Sequence, residues 1–392
     1  MRNSVFPLNL GIYAWGEVSA AGRSRLESLQ NLQAGKGNFS NLQSRLGQIA
    51  VGRASADLQI DLEQLYQRHN SLRDVDRVTQ LGVLAALEAG TAINRGQVSS
   101  IGVSFGSSRG ATDLLEKHYG DFLDKGKVFA KCSPTTTSGN LSSWVARVLG
   151  LSGVAIDHSM TCSTGLQSIC NAIAWINAGL VEAMIVGASE APLTDFSLAQ
   201  MQALGIYSVF SADQRPCRPL GSEQNTFVLG EGAAAFYLAP LGKLKLPAVA
   251  CIESFGIGFE VDAGHTSVSP DGVGIRVAMT QALDRMSKDL PVDAVILHAP
   301  GTLLGDCAEM SAFNAVFKTL GLPVILSNKQ LIGHTFGAAG ALSLAYACQI
   351  FNGLNPTPLQ GQITRPIQKI MINALGFGGQ AISMIVTKGE VN

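Results

Sequence analysis

The sequence predicts an α/β protein made from two copies of one unit. Short apolar, β-rich runs alternate with helical patterns along most of the 392 residues. The helix-like stretch at 165–180, GLQSICNAIAWINAGL, returns at 340–354 as GALSLAYACQIFNGL. The apolar run at 182–190, EAMIVGASE, has an echo in AISMIVTKGE at 381–390. A duplicated unit places the two helices beside a pseudo-twofold axis. Their N-termini then approach each other, with Cys162 on one side and His334 on the other.

The elements follow in order. VFPLNLGIYAW (5–15) is broken by Pro7, Asn9 and Gly11, so it reads as a first strand and turn, not as a signal peptide. DRVTQLGVLAALEAG (76–90) carries a helical apolar face. VSSIGVSFG (98–106), VAIDHS (154–159) and EAMIVGASE read as buried strands, and 108–145 as loop-rich, with SPTTTSGN inside it. DAVILHAPGT (293–302) is a strand with His298 at its mouth, where α/β sheets carry ligands. SNKQLIGHTFGAAGA (327–341) leads His334 into the second small-residue helix.

Composition narrows the function. Apolar residues make up 46% of the chain and charged ones 15%, with 43 glycines, which fits a large packed interior and not disorder. A net charge of −1, without basic runs interleaved with aromatics, gives no reason to expect nucleic acid. Seven cysteines, an odd count with no CxxC pair, argue for reduced thiols and against a disulfide framework or a metal site. FGAAGALSLAYAC is too short to span a bilayer. The expectation is a cytoplasmic protein with no membrane segment.

The chemistry collects at SMTCSTGLQS (159–168), where Cys162 precedes an apolar helix. Packing alone explains most lone cysteines. A helix N-terminus also favours the thiolate, and a nucleophilic thiolate needs a neighbour such as imidazole. Of six histidines, His298 and His334 each sit at an element end among glycines and hydroxyls.

These residues carry a resemblance. TCSTG (161–165), RPLGSEQNTFVLGEGAA (218–234), HAPGTLLGDCAE (298–309), KQLIGHTFGAAGA (329–341) and NALGFGG (373–379) occur in this order. From His298 the spacing is Thr at +4, Gly-Asp at +7 and +8, and Glu at +11, and Lys329 lies five residues before His334. In these features the chain resembles a β-ketoacyl-acyl-carrier-protein synthase of the Cys-His-His type, in the thiolase-like superfamily.

The resemblance implies a five-layer αβαβα fold of two halves, 1–240 with the nucleophile and 241–392 with both histidines. It implies decarboxylative condensation of an acyl-enzyme with a malonyl thioester, in fatty acid, polyketide or polyene synthesis. Cys162 is the expected nucleophile, activated mainly by the helix dipole. The N–H groups of Cys162 and Phe377 form the expected oxyanion hole, with Phe377 also a gate. His298 and His334 stabilise the enolate. Lys329 and Glu309 form a buried pair that orients the site or takes part directly. Thr302 and Gly378 contact the substrate. Arg109, in GSSRGAT (106–112), either is exposed or faces the acyl pocket, where it disfavours a long plain alkyl tail.

No bound cofactor is implied, because substrates arrive on a carrier's phosphopantetheine arm. The implied partners are an acyl carrier protein and a second copy or a related subunit; Arg68 and Arg73 either match a basic stretch that relatives use near the tunnel mouth or are ordinary exposed arginines. The sequence departs from the family pattern at Ala299 and Pro300, where Gly-Thr is usual, and at Gln380 and Ala381. The first departure keeps open an acyl-transferring enzyme that does not condense. A chain-length-factor subunit is the other alternative, although such subunits usually lack the cysteine. A thiolase is disfavoured because Gly376–Gly379 holds no cysteine.

Overall fold

The structure is a computed structural model and describes residues 8–261 and 268–389. His265 falls outside them. Twelve strands are present: β1 (Leu10–Ser19), β2 (Phe39–Ser44), β3 (Gly47–Gly52), β4 (Ile101–Gly106), β5 (Ala155–His158), β6 (Ala183–Glu190), β7 (Gly232–Pro240), β8 (Ala250–Phe259), β9 (Ala294–Ile296), β10 (Val324–Leu326), β11 (Lys369–Leu375) and β12 (Gln380–Lys388). Ten form one mixed sheet in the order β10-β9-β11-β12-β8-β1-β7-β6-β4-β5, and β2–β3 is a separate hairpin.

The duplication is written in that order. From the centre outward, β1-β7-β6-β4-β5 runs antiparallel, antiparallel, parallel, parallel. From the same centre, β8-β12-β11-β9-β10 repeats the series. Only Leu10–Ile12 pairs with Ala250–Ile252 across the join. The topology corrects one expected echo: β6 corresponds to β11, whereas 381–390 falls on β12, the counterpart of β7.

Alternation along the strands sorts the layers. Met184, Val186, Phe236, Ile370, Ile372, Ile382 and Met384 turn inward onto the helices Thr164–Asn177 and Ala339–Phe351. Ile185 and Tyr237 face the outer helices Arg77–Ala89 and Asn140–Leu149. Val295, Met371 and Ile385 face Val273–Arg285 and Leu303–Phe317. Two halves thus enclose a central helical layer and carry outer helices, giving αβαβα. All thirteen residues of Ala339–Phe351 are buried, as a helix apolar all round requires. The central helices meet through glycines: a Cβ on Gly165 would lie 2.8 Å from the Ala341 nitrogen, and one on Gly340 2.8 Å from Leu166.

The loop-rich expectation for 108–145 does not hold. Thr112–Lys125 is a helix, closed by Gly126 at φ +64°, and short Cys132–Thr136 follows. The apolar residues of this helix point outward, with Leu115, Tyr119, Phe122 and Leu123 all exposed, so no buried face marked it in the sequence. Cys132, Cys162, Cys170, Cys217, Cys307 and Cys348 are free thiols. No helix among the described residues is long and apolar enough to cross a membrane.

Candidate active site

Cys162 lies on a sharp turn between β5 and the helix Thr164–Asn177, with Ser163 as N-cap. Thr161 holds φ +47°, a strained value for a β-branched residue and a frequent mark of functional turns. Its hydroxyl donates to the Phe377 carbonyl at 3.2 Å, and the Met160 N–H donates to Thr164 Oγ1 at 2.7 Å. A Cβ on Gly376 would lie 1.9 Å from Thr161 Oγ1, so only glycine lets the β11–β12 connection approach the thiol. Phe377 lines the same cavity as Cys162, and its backbone acts to lower the thiol's pKa.

His298 follows β9, and His334 precedes the second central helix. Their Nε2 atoms are 3.3 Å apart, with ring centroids 5.0 Å apart and edge to face. One donor atom from each of Cys162, His298 and His334 lies within 4.8 Å of the other two, and all three residues are buried. Three donors this close could hold a thiophilic ion, a grouping that cysteine spacing does not reveal. The Phe336 N–H donates to His334 Nδ1 at 2.9 Å. A backbone N–H can only donate, so neutral His334 carries its proton on Nε2. His298 Nδ1 is buried and unpartnered.

Burial opposes the expected activation of the thiol by the helix terminus. Burial pushes the Cys162 thiol up to about 12, and the Glu190 carboxylate adds to the rise, against Arg109, Lys329 and the Phe377 hydrogen bond. The sulfur lies one residue before the N-cap Ser163, and burial works against the charged form. Burial, then the Lys329 charge, pushes His334 down to about 3 and lowers His298 well below its ordinary value. The resting site holds a neutral thiol beside two neutral imidazoles.

The expected Lys329–Glu309 ion pair is absent among the described residues. Glu309 instead accepts from the His298 N–H (2.9 Å), the Ala299 N–H (2.8 Å) and Asn373 Nδ2 (3.0 Å). Lys329 Nζ reaches only the Leu297 carbonyl, at 3.5 Å. One turn earlier, Asp306 accepts the N–H groups of Leu220, Gly301 and Thr302. Two carboxylates of one helix therefore fix the loop carrying His298.

A cavity of about 480 Å³ opens onto the thiol, lined by Cys162, His298, His334, Phe336, Phe377 and Thr302, among others. Pro300 and Leu304 give it apolar walls. Gly378 sits exposed beside it at φ +87°. Arg109 is half-buried: it does not line this cavity but lies behind Phe336, its guanidinium 4.9 Å from the ring. Arg73 is tied to Glu63 at 2.6 Å and lies over Tyr66, away from the thiol.

The sequence did not single out Phe336, Glu190 or Asn373. Phe336 holds φ +43°, and the following glycine was its only signal. Glu190 is fully buried and receives Ser107, Ser108 and the Gly337 N–H. Nothing in spacing announces it.

Comparison with known proteins follows this geometry. The family model described as "Beta-ketoacyl synthase, N-terminal domain" matches residues 20–243, and its C-terminal counterpart matches 249–356. The chain is 28% identical to 3-oxoacyl-[acyl-carrier-protein] synthase 2 of Vibrio cholerae, over 94% of this chain and 96% of that one. It is 32% identical to the Vibrio harveyi protein of the same name, over 71% and 70%. Among solved structures, a type II polyketide ketosynthase in complex with its acyl-carrier protein superposes with a TM-score of 0.85 at 21% identity, covering 98% of this chain and all of that one. A ketosynthase in complex with its chain length factor, from Xenorhabdus doucetiae, gives 0.80 at 24% identity over 97% and 98%. The two family models together span most of the chain, which belongs to the β-ketoacyl synthase family.

Proposed function

We propose that this protein is a 3-oxoacyl-acyl-carrier-protein synthase that condenses an acyl-cysteine with a malonyl thioester. One observation carries the reading: a buried thiol and two buried imidazoles converge on one cavity, which Phe377 also lines.

The first stage is acyl transfer. The Cys162 thiol attacks the incoming thioester carbonyl, and the proton passes to His298 Nε2, because His334 Nδ1 already accepts from Phe336. The carrier's sulfur departs, takes up that proton, and leaves a thioester on Cys162. In the second stage the malonyl group loses carbon dioxide. Nε2–H groups of His298 and His334 stabilise the enolate oxygen; for this, His298, having passed the thiol's proton to the carrier sulfur, moves its remaining ring proton from the unpartnered Nδ1 to Nε2. The enolate carbon attacks the acyl-cysteine carbonyl, and the N–H groups of Cys162 and Phe377 hold the oxyanion, each such donor being worth about 3–4 kcal/mol. Collapse releases the β-ketoacyl thioester and the Cys162 thiolate, which takes up a proton from solvent, the one proton that the overall reaction consumes. Glu309, Asp306 and Lys329 are positioning residues in this scheme. Thr302 and Gly378 flank the arm that delivers the substrates.

The proposed partners are a carrier protein and a second subunit, identical or related, in the cytoplasm. Among the described residues the outer edge of β5 pairs with no strand, and Thr112–Lys125 carries exposed apolar residues. A paired histidine experiment tests the division of labour. His334→Ala keeps acyl loading of Cys162 and loses malonyl decarboxylation, whereas His298→Ala loses both. Loading lost with His334 and retained with His298 would refute the scheme.

A further inference from the structure

Arg109 is a half-buried guanidinium without an acidic partner. Among the described residues no carboxylate lies in ion-pair contact with it. Its Nη1 donates to the neutral Gln200 amide oxygen at 2.7 Å, and its carbon rests 4.9 Å from the centre of the Phe336 ring. A guanidinium has five N–H donors, so most are left for another acceptor. The Phe336 ring that carries it lines the cavity of Cys162, and the guanidinium lowers the thiol's pKa. Its field therefore reaches the sulfur.

The buried Glu190 carboxylate nearby is engaged by Ser107, Ser108 and the Gly337 N–H, and the rest of the surroundings is apolar. Cys162 packs in one cluster with Leu198, Met201, Phe227 and Phe336. Leu198 and Met201 come from the helix Asp195–Ala203, which also supplies Gln200. A chain attached to Cys162 thus meets hydrocarbon first, and a guanidinium–amide pair behind the Phe336 ring.

Building on the acyl-enzyme function proposed above, we infer that Arg109, with Gln200, selects acyl groups whose far end carries an anionic oxygen. A carboxylate can take two parallel bonds from a guanidinium, and Gln200 can turn its amide N–H to the same group. A plain alkyl end offers nothing in exchange for the water and donors it covers.

The test compares two acyl groups of similar length, 5-carboxypentanoyl and heptanoyl, presented as pantetheine thioesters to the intact protein. Loading on Cys162 is followed by mass, and the readout is the ratio of the two rates, which cancels any change in thiol reactivity. Wild type favours 5-carboxypentanoyl, and Arg109→Leu shifts the ratio toward heptanoyl by about tenfold to hundredfold. Arg109→Gln, which keeps polar packing against Gln200, shifts it the same way, while Gln200→Leu retains the preference. An equal ratio in wild type and both Arg109 variants overturns the assignment and leaves the acyl-enzyme reading standing. Failure of both groups to load wild type, with Cys162 still open to iodoacetamide, refutes the acyl-enzyme reading itself.

Discussion

Replacing Glu309 with glutamine keeps the shape of a side chain that is 1% exposed and holds three donors. The amide oxygen can still accept from one of the two adjacent N–H groups, His298 or Ala299. The amide nitrogen then faces the other, donor against donor. One buried N–H is left unpartnered, costing about 1–3 kcal/mol, and a bond to a charged acceptor becomes a neutral one, costing about 1 kcal/mol. The sum, about 3 kcal/mol, falls on the loop that aims the His298 ring. If most of it is felt in the decarboxylation transition state, the rate falls about a hundredfold. Release of carbon dioxide from a malonyl thioester measures this, and iodoacetamide alkylation of Cys162 serves as the control. Glu309 does not touch the sulfur, so alkylation holds while decarboxylation falls. Equal loss of both, or unchanged decarboxylation, refutes the clamp.

Two further outcomes follow from the protonation states. With its thiol pushed up to about 12, Cys162 is alkylated roughly tenfold faster per pH unit from about pH 7 to about pH 10. A plateau below about pH 8 would mean a resting thiolate. His334 is held down to about 3, so on acidification the unfolded chain takes up a proton that the folded site refuses. Stability from this group is present above the ordinary histidine value and drains away as the pH falls toward 3. At about pH 5 the loss is about 2 kcal/mol. Urea unfolding at neutral and acid pH measures it, and His334→Asn flattens the dependence by that amount; equal pH dependence in both proteins would contradict the assignment.

Much of the site was legible because its residues sit in short, ordered motifs. Cys162, His298, His334 and Phe377 were marked by their glycine and hydroxyl neighbours, and the fold brings them together. The central helices were legible too, since small residues on every face leave a helix nowhere to go but inside. What escaped depends on burial and on backbone direction. The resemblance pairs Glu309 with Lys329, yet the carboxylate turns to the N–H groups that the end of β9 leaves open. Cys162 stands before a helix start, yet desolvation decides its protonation. The helix Thr112–Lys125 has an amphipathic sequence whose apolar face is exposed in the isolated chain, so composition pointed to a loop. Phe336 needs a left-handed backbone, which no aromatic residue advertises.

The central claim is that Cys162 carries the acyl group, and intact mass tests it most directly. After incubation with an acyl carrier protein bearing one acyl chain, the protein gains the mass of that chain on the peptide containing Cys162. Subsequent malonyl carrier removes the added mass and yields a β-ketoacyl product two carbons longer. In Cys162→Ala no mass is gained. An acyl adduct that survives in Cys162→Ala, or one mapped to any of the other six cysteines, would contradict the account.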